Sequence, residues 1–143
     1  MYNYSRRSKE KLEQAHPYLE KLEQAHPYLQ LLFNKAIEYY DISIMCSVRD
    51  EETQNAYFRK GLSELEYPNG KHNKTPSMAI DFTVWHKGNG YSYNEEDTNL
   101  VAGFIEGLAV AYGIKIRIGA RWDNQWVSQN GFKDFGHIEL VGE

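Results

Sequence analysis

Cysteine is nearly missing from this chain. Cys46 is the single one among 143 residues, so no disulfide can form within it. It closes the apolar run Ile42-Ser43-Ile44-Met45-Cys46, and the expectation is a buried thiol rather than a nucleophile. No stretch approaches the roughly 20 apolar residues that a membrane-spanning helix needs, so membrane insertion is not expected. The first residues, MYNYSRRSKEKLEQ, are partly basic but lead into no apolar segment, which is not the pattern of a secretory signal. Synthesis and residence in a cytoplasm is the resulting expectation, with any export depending on something else. A basic excess is lacking too. Lys and Arg are scattered and the net charge is −4, so the chain does not carry the electrostatic footprint of a nucleic-acid binder.

What the chain does have is aromatic surface: eleven Tyr and three Trp supply large amphipathic side chains that suit a core or a groove. Its length fits one domain over residues 1–143, large enough to bury about two thirds of the surface of the unfolded chain. Ser8 can cap a short helix over residues 9–15, which His16-Pro17 would end, because a residue before proline avoids helical backbone. Pro27 starts a longer helix over 27–40, with Leu29, Leu32, Phe33, Ala36, Ile37 and Tyr40 on one face. Residues 42–47 read as a buried strand and 51–62 as a helix ending near Gly61. From 63 to 77 the chain is polar and carries Pro68, Asn69-Gly70 and Pro76, a loop long enough to suggest function. Residues 78–84 read as a strand and 86–94 as a turn region. Asn94 caps a helix whose Leu100, Val101, Phe104, Ile105 and Leu108 share a face, and Gly113 ends it. Strands follow at 115–118 and 136–141. This order predicts an α+β fold, a small and mainly antiparallel sheet with flanking helices.

Residues 10–29 are a ten-residue unit, EKLEQAHPYL, written twice. The duplicated His16 and His26 invite a paired metal site. On one continuous helix, however, they would stand about 80° apart in azimuth and roughly 15 Å apart along the axis. One ion cannot bridge them. Pro17 and Pro27 each favour a helix start, so two short helical pieces are expected, with the second copy packed and the first displaced outward.

Three other residues offer metal-binding chemistry: His72 in the long loop, Asp81 inside the apolar strand and His137 opening the last strand. A carboxylate in an apolar strand costs several kcal/mol unless it is paired or bound to a cation. Two histidines and one carboxylate suit a catalytic zinc with an open fourth position. The same spacing also fits a locally paired Asp81 and ordinary loop histidines. His86, after Trp85, reads as a turn or groove residue, and Trp122 and Trp126 as groove or core.

The segments KHNKTPSMAIDF and, far downstream, KDFGHIELV resemble the VanY-like, D-Ala-D-Ala carboxypeptidase type of zinc peptidase, a group that includes bacteriophage L-alanyl-D-glutamate endopeptidases. The resemblance runs from about residue 27 to the C-terminus. It implies Zn2+ held by His72, Asp81 and His137 at the sheet edge. Asp134, three positions before the second histidine, is implied as general acid-base, and Arg49 in Cys46-Ser47-Val48-Arg49-Asp50 as the group that stabilises an oxyanion or holds a substrate carboxylate. Two segments depart from the family pattern. Gly70 stands where many relatives have serine, and Gly119-Ala120-Arg121-Trp122 where they often have Gly-Asp-Trp. The implied activity is cleavage of the peptidoglycan stem peptide as a phage endolysin, between L-Ala and D-Glu. Such an enzyme would act on the wall once the host membrane has been permeabilised. A D-Ala-D-Ala carboxypeptidase is the alternative within the enzymes, and a non-catalytic cell-wall binding protein the alternative outside them.

Overall fold

The computed structural model describes residues 16–86, 90–92, 94–119 and 136–142, without the side chains of 16–19. Helix α1 spans His16–Glu23 and α2 Pro27–Ala36. Strand β1 (Ile42–Cys46), helix α3 (Glu51–Arg59) and a 3-10 turn (Lys71–Asn73) follow. Strands β2 (Ala79–His86) and β3 (Gly90–Ser92), helix α4 (Glu95–Tyr112) and strands β4 (Ile116–Ile118) and β5 (His137–Leu140) complete the order. The pairing order is β1-β2-β5-β4, with β3 added to β2, and these named strands all pair antiparallel. The architecture is the expected α+β one.

Local chemistry fixes the helix ends. The His26 Nδ1 accepts the Tyr28 N–H at 3.0 Å and so caps α2, with Pro27 in the first turn. Asp50 Oδ1 accepts Thr53 N–H at 2.8 Å at the start of α3, and Asn94 Oδ1 accepts Glu96 N–H at 2.7 Å at the start of α4. Gly113, at φ 71, closes α4 in the left-handed conformation that a side chain would resist.

Four expectations need adjustment. Helix α2 stops at Ala36 rather than 40, because Glu38 and Tyr39 bond back to Lys35 and Ala36 in tight turns. Its expected core face survives: Leu29, Leu32, Phe33, Ala36 and Ile37 are buried, and Tyr40 packs against them. On α4 the buried stripe is Thr98, Val101, Ala102, Ile105 and Ala109, while Leu100 is 61% exposed. Leu100 lies about 100° around the helix from Val101, on the side away from Ala102. The turn region after His86 contains β3, whose Tyr91 ring meets Trp85 edge-on at 4.9 Å. Cys46 is half-buried rather than buried, for a reason given below. The helix expected over 9–15 lies outside the described residues.

Strand alternation divides the sheet by chemistry. Ile42 and Ile44, Ile80, Phe82 and Val84, and Ile138 and Leu140 join the helices in the core. Phe33 and Phe82 meet edge to face at 5.7 Å. The intervening positions, Asp81, His137, Glu139 and Arg117, lie on the other face.

Candidate metal centre

Antiparallel register brings two of the candidate ligands side by side, because Asp81 of β2 is the cross-strand partner of His137 of β5. That close pairing requires glycine before the histidine. A Cβ on Gly136 would stand 2.4 Å from the Phe82 carbonyl oxygen, while the Gly136 carbonyl accepts the Phe82 N–H at 2.9 Å. His72 arrives from the long loop on the 3-10 turn. The turn is held by Arg49 N–H donating to the His72 carbonyl at 2.8 Å and by Met78 N–H donating to that of Lys71 at 3.0 Å.

Both imidazoles have a fixed orientation. Nδ1–H of His72 donates to the Ser47 carbonyl at 2.8 Å, which leaves Nε2 directed inward. His137 is turned the other way: its Nε2–H donates to Glu139 Oε1 at 2.9 Å and its Nδ1 faces inward. Glu139 is itself held by Arg117 at 3.1 Å. A carboxylate or carbonyl behind each ring is the outer support that metal-binding histidines use.

The inward atoms converge. Asp81 Oδ1 lies 3.2 Å from His72 Nε2 and 3.0 Å from His137 Nδ1, and the two nitrogens are 3.3 Å apart. Metal bonds of about 2.0–2.1 Å in tetrahedral geometry place ligand atoms about 3.3 Å from one another, so the three edges fit a single bound ion. Cys46 stands close to two of these three residues: its sulfur, a His72 nitrogen and an Asp81 oxygen lie within 4.8 Å of one another.

Charge follows from the same contacts. Burial would push His72 down, but the Asp81 charge and hydrogen bond outweigh it and raise it to about 10. Burial likewise opposes His137, yet hydrogen bonds to Asp81 and Glu139 raise it to about 9. Burial would raise Asp81, and the two imidazoles hold it well below the ordinary carboxylate range. In the metal-free protein the cluster therefore holds protons in the place where a cation would bind.

Arg49 completes the site. One amino group donates to Asp81 Oδ2 and the other to Gln54 Oε1, each at 3.1 Å, and the Tyr57 ring lies 4.6 Å from the guanidinium carbon. Its partner is thus a candidate ligand, whereas Asp50 caps α3. Gln54, fully buried on α3, donates to Ser63 Oγ at 2.9 Å and to the Leu65 carbonyl at 2.6 Å, tying the loop to the arginine. Gly70 departs from the family serine where Asn73 takes up the space: Asn73 Oδ1 accepts the Gly70 N–H at 2.9 Å, and a Cβ on Gly70 would meet that oxygen at 2.7 Å.

Of the sequence candidates, the structure brings together His72, Asp81, His137 and Arg49. His86 pairs with Asp97 at 2.7 Å. Asp134, Trp122 and Trp126 lie outside the described residues. Sequence reasoning overlooked Glu139, although its i+2 spacing from His137 on a strand put both on one face. It had no means of finding the Ser47 carbonyl.

A comparison with curated proteins gives no match. Among solved structures, the fold is similar to the Serratia marcescens L-Ala D-Glu endopeptidase ChiX, with a TM-score of 0.71 and 22% identity over 87% of this chain and 86% of that one. The family model for phage L-alanyl-D-glutamate peptidase matches residues 1–141. With that match over nearly its whole length, the chain belongs to the phage L-alanyl-D-glutamate peptidase family.

Proposed function

We propose that the protein is a zinc-dependent endopeptidase that cuts the L-Ala–D-Glu bond of the peptidoglycan stem peptide, acting as a phage endolysin after the host membrane has been permeabilised. The observation that carries the metal reading is the triangle of His72 Nε2, Asp81 Oδ1 and His137 Nδ1, with edges of 3.0–3.3 Å. Two nitrogens and one carboxylate oxygen are a donor set that zinc accepts while keeping a position open. Bound there, zinc would supply a Lewis acid for the scissile carbonyl and acidify a water.

The chain's own residues account for the rest. Asp134 is assigned the proton work: it takes a proton from the attacking water and returns it to the leaving amine. Arg49 presents a permanent positive charge beside the cluster, fixed by Gln54 and Tyr57 before substrate arrives. A preset cation can stabilise the developing oxyanion or hold a substrate carboxylate at little reorganisation cost. Ser47 and Glu139 hold the two imidazoles in their ligating orientations.

Mass analysis of purified peptidoglycan after digestion tests the reading. Fragments with new N-terminal D-Glu are expected. Loss of terminal D-Ala instead would make the protein a carboxypeptidase, and retained binding without cleavage would make it a wall-binding module.

A further inference from the structure

Strand β1 does not pair evenly with β2. Ile42, Ser43 and Ile44 oppose Val84, Thr83 and Phe82 in turn, but Cys46, not Met45, then opposes Asp81. The irregularity between Ile44 and Cys46 leaves Met45 as the extra residue, 42% exposed. With even pairing, Met45 would stand beside Asp81. A bulge of this kind re-aims a side chain, and here it completes a row of Cys46, Asp81 and His137 across three strands. The only thiol in the sequence is thereby delivered to the candidate metal ligands.

Resting on the zinc reading above, we infer that the Cys46 thiolate is a fourth protein ligand in the substrate-free protein. The donor atoms of Cys46, His72 and Asp81 already lie within 4.8 Å. A tetrahedral sulfur–nitrogen edge is about 3.6 Å for metal–sulfur and metal–nitrogen bonds of about 2.3 and 2.0–2.1 Å, so ligation requires the sulfur to draw closer to the cluster than the 4.8 Å bound. On binding, the thiol proton passes to solvent and the sulfur lone pair forms the metal–sulfur bond, with no change of oxidation state. A fully protein-ligated centre has no position for a catalytic water. Arrival of substrate must therefore coincide with release of the sulfur, which takes a proton back. The centre alternates between a closed set with Cys46 and an open set of His72, Asp81 and His137, and its resting state is latent.

The full chain loaded with cobalt(II) in place of zinc reports sulfur ligation through a near-ultraviolet sulfur-to-metal charge-transfer band. The band is expected in the wild type and absent from Cys46→Ser, with one cobalt bound in both. Saturating zinc is also expected to slow alkylation of Cys46 by iodoacetamide about tenfold, because a ligated thiolate is a weaker nucleophile. If Cys46→Ser fails to fold, X-ray absorption of the zinc-loaded wild type decides, through a scatterer at about 2.3 Å or only at about 2.0–2.1 Å. Stoichiometric cobalt with no charge-transfer band in the wild type would overturn the inference and leave the zinc reading standing. A wild type that binds no cobalt or zinc would overturn both.

Discussion

Glu139 is two residues from His137 and carries its ring by a 2.9 Å hydrogen bond. Burial would raise its carboxyl, but His137 and Arg117 hold it below the ordinary range, so it is charged at neutral pH and strengthens the imidazole as a donor. Glu139→Gln is expected to keep the fold and weaken metal affinity about 10- to 100-fold, as outer-shell changes do, measured by competition with a chromogenic chelator. His137→Ala should lose both metal and activity. Asp134→Ala should retain the metal and lose about 10²- to 10⁴-fold in turnover; a variant near the wild-type rate would remove Asp134 from the mechanism. Arg49→Lys should be nearly inactive with metal retained, because one ammonium cannot span Asp81 and Gln54 as the guanidinium does. Asp81 was legible in the sequence because an unpaired carboxylate in an apolar strand demands a partner. The carbonyl that orients His72 was not legible, since every residue has one and only the fold selects Ser47.

At the scale of elements, the duplicated unit is expected to act as one packed copy and one spare. The second copy supplies the contacts: the Ser47 hydroxyl donates to the Lys21 carbonyl, Ser77 N–H to that of Gln24 and His26 N–H to that of Ser77. These bonds hold the segments that carry Ser47 and Ser77, and the Ser47 carbonyl in turn orients the His72 ring. Removing either copy yields the same sequence, so deletion of residues 10–19 is expected to leave metal content and specific activity within about twofold, the size of a surface edit. A sharper check compares one substitution in both copies by chemical denaturation. Leu22, 3% exposed, lies in the core, and Leu22→Ala should cost about 2–5 kcal/mol, whereas Leu12→Ala should cost no more than about 0.5 kcal/mol. Equal losses would mean that both copies are packed. Helices and long strands could be read from caps and periodicity, because those signals are local. Strand β3 could not, since three residues beside a glycine carry no period. The bulge in β1 also escaped, because a shift of parity appears only against the partner strand, and Cys46 was misplaced with it.

For the whole molecule, metal and protons compete for the same cluster, and their stabilities run in opposite directions with pH. In chelator, His72 and His137, raised to about 10 and about 9 in the folded protein, contribute stability that is full below their unfolded value of about 6.5. It fades as pH rises through the folded values. A bound metal needs the same nitrogens deprotonated, so its contribution grows over that range. Thermal unfolding between pH 7 and pH 9 should therefore show a falling Tm in chelator and a widening gap between the loaded and the chelated protein. A constant gap would contradict direct binding to these histidines. The ligands are also far apart in the chain: His72 and Asp81 are neighbours in sequence, but Asp81 and His137 are 56 residues apart. Closing so long a loop is the slow kind of event in folding, and no shorter piece of the chain contains all three donors. Capture of a coloured ion after dilution from denaturant would thus serve as a clock for the pairing of β2 with β5, registering the moment at which the two halves of the sheet first meet.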